Sequence, residues 1–398
     1  MQSNYEPIGK FIRLVDVRNR GLKVTQLLGL SISKQFIPSV ANIIGTDMEN
    51  YKIIRKNQFA CSTMQVRRDK KMPVALLKEV DEAIISQAYP VFEVIDENEL
   101  LPEYLMMWFT RQEFDREACF HAVGGVRGSL EWEDFINLRL PVPTIAKQRE
   151  IVAEYHTIQN RIALNNQLIQ TLETTAQAIY KQWFVDSGQE KEKAKLGEYI
   201  LTNPSLSLRK NAVSTYVEMN DLTTDSMRIK NWVKRGYIGG AKFQNNDTLL
   251  ARITPCLENG KTAFVNILEK DEVAGGSTEF IVMRAKPGVS PYWVYCLAKD
   301  DNFRAFAISS MIGSSGRGRV HEKYLDKFDL PELDMEQMNA FHKAAEPLFE
   351  LVKLKAREVK NLTMLKDLLL SKLATIETTP SAPKPAAAAP AQLTLSFA

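Results

Sequence analysis

Leu140-Pro141-Val142-Pro143-Thr144 runs directly into forty residues, Ile145 to Phe184, that contain neither Gly nor Pro. Within them Tyr155, Ile158, Ile162, Asn165, Ile169, Leu172, Ala176, Ile179 and Trp183 recur at steps of three and four, and only Asn165 is polar. That spacing is a heptad seam, and it predicts one long helix that pairs with another. At 1.5 Å per residue the helix would span roughly 60 Å. A rod of that length in mid-chain reads as a spacer between two bodies.

The second helix of the pair is found in the same chain. After Leu330-Pro331 a related pattern returns, with Met338, Phe341, Ala345, Leu348, Val352, Lys355, Val359 and Leu362 again stepping by three and four. A shift of 190 positions sets Ile158 on Leu348, Ile162 on Val352, Asn165 on Lys355, Ile169 on Val359 and Leu172 on Leu362. Even the polar interruption recurs. A polar seam residue lowers stability but fixes register, and two at equivalent places suggest a pair packed about a local two-fold. Asp334 is suited to cap the second helix, with Gln337 three residues on. Pro347 falls inside the pattern and predicts a late start or a bend, because proline removes a helical hydrogen bond.

The chain has 398 residues, 45% apolar and 25% charged. That is too long for one ordinary core and typical of a globular protein. The first residues hold no basic segment followed by an apolar one, and no run of eighteen apolar residues occurs, so neither a signal peptide nor a membrane span is expected. Cys61, Cys119, Cys256 and Cys296 are widely separated, with no CxxC spacing, which argues against structural zinc and suits a reducing cytoplasm. Net charge is only +3, but residues 1–75 carry thirteen Lys/Arg against five Asp/Glu, whereas residues 76–143 carry five against fourteen. A basic face on a dipolar domain is the electrostatic footprint of phosphate binding.

The offset of the helices extends through the chain. Ile8-Gly9 matches Leu196-Gly197, Pro102 matches Pro291, Phe114 matches Phe303, Gly124 matches Gly313, Arg127-Gly128 matches Arg317-Gly318, and Leu140-Pro141 matches Leu330-Pro331. The shift stays between 188 and 190, which is the mark of a duplicated architecture. Each unit is read as a globular domain followed by a long helix. In the first, Gln35–Val40, Phe59–Val66, Ala83–Gln87 and Val91–Ile95 read as strands, Pro102–Cys119 as a helix and Val123–Ser129 as a Gly-rich loop. In the second, Leu249–Ile253 and Lys261–Val265 read as a hairpin about Asn259-Gly260, and Pro291–Ser309 as the matching helix. Glu190–Lys195 reads as a charged linker. After Ala374, prolines at 380, 383, 385 and 390 among alanines predict an extended tail.

No catalytic constellation stands out. His121, His156, His321 and His342 lack ligand spacing, and Gly313 to Arg319 resembles a phosphate loop in composition only. Basic loops paired across the repeat are what the sequence does contain. Arg67, Arg68, Lys70 and Lys71 follow a strand in the first unit, and Arg252 and Lys261 flank Ile253–Gly260 in the second. Arg127, Arg317 and Arg319 lie in the two Gly-rich loops. Arg and Lys serve phosphates, Arg can also read guanine, and neighbouring Gly lets a loop approach a backbone.

These features resemble a known family. The order of the units, the Leu-Pro-x-Pro lead-in to a long helix with Gln148 and Ile151 near its start, and the run Ala251 to Lys261 (ARITPCLENGK) are similar to DNA specificity subunits of type I restriction–modification systems. The resemblance extends from residue 1 to about residue 375. It implies an α+β fold. Two pseudo-repeated target-recognition domains, small twisted sheets with helices, are separated by two long helices that form an antiparallel coiled coil. The expected boundaries are a first recognition domain at 1–143, a central helix at 144–187, a second recognition domain at 188–333, a distal helix at 334–376 and a tail at 377–398. The resemblance further implies a non-catalytic subunit that reads a split, asymmetric site in double-stranded DNA. Its partners would be two methyltransferase subunits and restriction/translocase subunits. S-adenosylmethionine, ATP and Mg would then be used only through those partners. The rival reading from another class is a coiled-coil scaffold whose globular ends bind proteins. Within the tail, Gln392-Leu393-Thr394-Leu395-Ser396-Phe397 is similar to the short peptide by which bacterial proteins dock on the DNA sliding clamp, with Gln392, Leu393, Leu395 and Phe397 as its anchors.

Overall fold

A computed structural model describes residues 5–39, 46–64, 66–124, 128–186, 192–313 and 318–375. The chain divides into two compact units, one of residues 1–159 with 364–398, the other of residues 160–363. Each long helix is therefore shared, with its two parts assigned to different units.

In the first unit, Tyr5–Pro7 pairs antiparallel with Arg139–Pro141 and closes the domain. A four-stranded antiparallel sheet follows the order Ile12–Val15, Val91–Val94, Phe59–Cys61, Val74–Leu76. Two further pairs, Leu28–Leu30 with Phe36–Pro38 and Lys52–Arg55 with Glu82–Ile85, complete the β structure. Inward Phe59 and Phe92 stack at 5.0 Å, and Phe109, Phe114 and Phe135 from the helices pack on or beside them. The lead-in is held by buried Gln148. Its Nε2 donates to the carbonyls of Glu99 and Pro143, and its Oε1 accepts from Leu101 N.

The second unit repeats this plan. Lys193–Lys195 pairs with Asp329–Pro331, and the four-stranded sheet runs Ile200–Thr202, Phe280–Ala285, Thr248–Ala251, Thr262–Phe264. Strand for strand this is the order of the first unit, at offsets of 188 or 189. The glycines that mark the repeat have a common steric cause. A Cβ on Gly9 would lie 2.9 Å from Ile136 Cβ, and one on Gly197 would lie 3.0 Å from Asp326 Cβ. The units diverge elsewhere. The second has another four-stranded sheet, Val233–Gly236, Val213–Val217, Ala274–Gly276, Ala241–Phe243, in which the middle pair is parallel.

The long helices are as the seam predicts, Ile145–Tyr180 (followed by a wider π-helical turn, Lys181–Val185) and Met335–Lys372. Within the second unit they run antiparallel. Arg161 Nε meets Glu358 Oε1 at 2.6 Å near one end, and Gln337 Nε2 donates to Trp183 O at 3.0 Å near the other. Between these, Ile169, Ala176 and Tyr180 pack with Met338, Phe341, Ala345, Phe349 and Val352. Leu172 and Leu348 adjoin that core. Ile158, Ile162, Val359 and Leu362 are half-buried. Within the first unit, Ile151 and Tyr155 share a core with Leu370 and Leu373, and Tyr5 Oη donates to Ala374 O. Of the two polar seam residues of the second unit, Lys355 pairs with a carboxylate, whereas the buried Nδ2 of Asn165 has no hydrogen-bond partner among the described residues. Lys355 Nζ lies 2.8 Å from Glu358 Oε2, and Arg161 and then Lys355 hold the Glu358 carboxyl down at about 2.

Several local expectations are corrected. The segment expected as one helix from Pro102 to Cys119 is two, Pro102–Thr110 and Gln112–His121. At Arg111 the backbone turns extended, and its guanidinium is buried over the Trp108 ring at 4.0 Å. Its counterpart is also two, Pro291–Ala298 and Asp301–Ser309, because the Asp300 carboxylate caps the second through Asn302 N and Phe303 N. The strand begun at Phe59 ends at Cys61, and Val66–Asp69 forms a helical turn. The charged linker contains the strand Lys193–Lys195. The hairpin of the second unit does pair antiparallel, across residues 252–261 and not a tight Asn-Gly turn. Asp334 caps the distal helix by accepting from Glu336 N. The helix starts on time and passes through Pro347, which is exposed, so that water can serve the carbonyl whose partner the proline lacks.

Candidate nucleic-acid interface

The expected basic residues fall on two loops per unit, and the fold brings the two loops of each unit together. In the first unit the turn Val66–Asp69 follows the third strand of the sheet. Arg67 N donates to Gly128 O at 3.4 Å, Arg67 Nη1 reaches Gly124 O at 3.4 Å, and Leu130 N donates to Thr63 O at 2.9 Å. The stem of the Gly-rich loop is the bridge between Val123 and Ser129. In the second unit Thr254 N donates to Gly318 O at 3.2 Å, Val320 N donates to Arg252 O at 2.9 Å, and Ile312 bridges Arg319. The pattern is the same, amide to glycine carbonyl and strand end to loop end, at offsets of 187 to 190.

The cations differ in their engagement. Lys70 and Lys71 are exposed and make no hydrogen bond or ion pair among the described residues. Arg68 is half-exposed and paired with Asp69 at 2.7 Å. Arg319 is clamped on Glu279 by contacts of 2.8 to 3.1 Å, its Nη1 unengaged among the described residues. That hydrogen bonding holds the Glu279 carboxyl below its usual value against a smaller effect of burial. Arg252 is mostly covered. It has a long 3.7 Å contact to Glu322, and its buried Nε has no partner. Its side chain walls a cleft of about 420 Å³ together with Asn203, Lys242, Thr278 and Phe280. Lys261 turns inward and donates to Met219 O at 3.0 Å. Arg127 and Arg317 lie outside the described residues, as do Gln392, Leu393, Leu395 and Phe397 of the tail.

Three features of these loops were not anticipated from the residue pattern. Lys34 is buried in an ion pair with Asp115 at 2.8 Å and donates to Phe109 O, which fastens the Leu28–Leu30/Phe36–Pro38 hairpin to the helix that precedes the Gly-rich loop. Burial pulls the Lys34 ammonium below its usual value, and Asp115 opposes the shift. Lys299 Nζ donates to Gly260 O and Thr224 O, supporting the 252–261 loop from below. Val123 and Ile312, one offset apart, are exposed apolar residues at the two loop stems. Their match at offset 189 was visible in the sequence, but their exposure was not. Among the described residues no group of three or more His, Cys, Asp or Glu could hold a metal ion, and burial pushes the Cys61 and Cys296 thiols well above their usual value. No helix among them is long and apolar enough to cross a membrane.

Each unit, taken by itself, combines a four-stranded sheet and a basic loop pair with a segment of each long helix. The chain is similar, over part of its length, to type I restriction–modification specificity subunits. Residues 40–174 match the family model described as the type I restriction modification DNA specificity domain. The chain is 25% identical over 158 residues to the type I restriction enzyme HindI specificity subunit of Haemophilus influenzae, covering 39% of this chain and 34% of that one. To the EcoAI specificity subunit of Escherichia coli it is 35% identical over 106 residues, 26% of this chain and 17% of that one. The matched stretches thus span about a third or less of those curated relatives. The crystal structure of a type I restriction-modification S subunit from M. genitalium has the same fold, with a TM-score of 0.57 at 14% identity, over 93% of this chain and 95% of that one.

Proposed function

We propose that this chain is the sequence-reading subunit of a type I restriction–modification complex. It recognises an asymmetric, bipartite site in double-stranded DNA, one half with each unit, and directs methyltransferase and restriction/translocase subunits to it. The observation that carries this reading is the duplicated loop pair, in which the amides of Arg67 and Thr254 bond the carbonyls of Gly128 and Gly318 beside exposed or half-exposed cations. Phosphate contacts from such cations fix orientation, and contacts to base edges supply specificity. The half-exposed remainder of the helix pair is the surface offered to two methyltransferase subunits. S-adenosylmethionine, ATP and Mg enter through the partners, and the setting is cytoplasmic.

The test is selection from a pool of random duplexes, with and without a methyltransferase partner. The expected product is a pair of short fixed sequences separated by a spacer of constant length and arbitrary sequence. Enrichment of one contiguous motif would overturn the bipartite reading. No enrichment in either condition would favour a scaffold that binds proteins.

A further inference from the structure

Exposed apolar side chains need a cause when they recur at equivalent points of a repeat. Val123 is 62% exposed and Ile312 is 79% exposed, although both sit in hydrogen-bonded backbone bridges whose partners are Ser129 and Arg319. They contribute nothing to either core. Their neighbours are the loop cations: Arg67 Nη1 bonds the carbonyl of Gly124, next to Val123, and Arg319 exchanges two backbone hydrogen bonds with Ile312, at 3.1 and 3.0 Å. Phe120 is still more exposed, at 82%, but the second unit has Ser309 and Ser310 in that region, so it belongs to the first unit alone.

A β-branched side chain on a bridged backbone has few rotamers and presents its methyl groups rigidly. Beside a loop cation with a nitrogen left for a phosphate, as Arg319 has in its Nη1, such a group would face base edges. The one apolar feature that duplex DNA shows there is the C5-methyl of thymine in the major groove. We infer that Val123 and Ile312 are specificity-determining residues, each reading a thymine of its own half-site by contact with that methyl group, an inference that rests on the DNA-reading function proposed above.

Deoxyuridine isolates this contact, because it pairs like thymidine and lacks only the methyl. With the full chain and its selected site, thymines would be replaced singly by deoxyuridine and the affinity measured. Wild type should lose about four-fold at a thymine in each half-site, as expected for burial of one methyl group. Val123→Ser should remove that loss in one half-site only, and Ile312→Ser in the other only. Both side chains are exposed, and unchanged thermal melting of the variants checks that the fold persists. Equal binding of thymine and deoxyuridine sites by wild type overturns the inference while leaving the bipartite reading intact. A deoxyuridine loss that persists in both variants assigns the methyl contact to other residues and overturns it too. Failure to select any site removes the parent reading, and this one with it.

Discussion

Gly128→Ala separates the two loop pairs by a predictable amount. Gly128 has φ +30°, and a Cβ there would lie 2.7 Å from Arg67 Cβ and 3.3 Å from its Cδ. Arg67 Cβ is bound to the backbone of a helical turn and cannot swing aside as a side-chain tip would. Left-handed backbone costs an L-residue about 1–2 kcal/mol. Overpacking by one methyl adds about 1–3 kcal/mol. Together these exceed the ~0.5–1.5 kcal/mol of the single hydrogen bond joining Arg67 N to Gly128 O. That bond should therefore break and the Gly-rich loop shift on its remaining tie, Leu130 N to Thr63 O, before the aromatic core of the unit gives way. The expected result is a 10- to 100-fold loss of affinity, each factor of ten being about 1.4 kcal/mol. At Gly318 the nearest atoms to an added Cβ are Met311 Cβ and Sδ and Thr254 Oγ1, all at 3.3 Å. Those neighbours can yield by a few tenths of an ångström, so Gly318→Ala should cost under ~1 kcal/mol. Fluorescence anisotropy with duplexes in which one half-site at a time is scrambled reads the two effects separately, and thermal melting reports the fold. If Gly128→Ala binds within two-fold of wild type, or if Gly318→Ala is the weaker binder, the loops are not held as described.

Two further outcomes follow from the packing and one from the sequence of the tail. Asp115→Ala leaves the Lys34 ammonium buried without its carboxylate and should cost about 3–5 kcal/mol in urea unfolding, whereas Lys34→Met with Asp115→Leu should recover most of it. Glu358 has its folded value depressed to about 2, so its stabilising contribution is complete above the unfolded carboxyl value of about 4.3 and is lost as pH falls toward 2. Glu358→Gln should lower the melting temperature at pH 6 and match wild type near pH 2; a constant difference across that range would show that Arg161 and Lys355 do not hold the carboxylate. For the tail, deletion of residues 391–398 should abolish recovery of the sliding clamp in a pull-down, and equal recovery with and without them would remove that docking peptide.

The legible parts of this protein were those that depend on local spacing. The seam from Tyr155 to Trp183 gives a helix because its apolar period matches one helical face, and its return at Met338 to Leu362 names the partner. Gly9 and Gly197 announced the repeat because a Cβ on either would strike the Cβ of Ile136 or of Asp326. The basic residues of the loops were legible as types, since charge survives in composition.

By itself, then, the sequence determined two copies of one domain plan and a pair of long helices, because heptad periodicity, steric glycines and proline lead-ins act over a few residues. Only the tertiary structure decided which cations remain available. Arg68 meets Asp69 beside it, but Arg319 is claimed by Glu279, forty residues away, and Lys261 by the carbonyl of Met219. Pro347 was judged by its rule and not by its surroundings, and its exposed face made the rule harmless. The break at Arg111 likewise needed the Trp108 ring beneath the guanidinium. Ion pairing, burial and loop-on-loop contact join residues far apart in the chain, and no local spacing encodes which of them will meet.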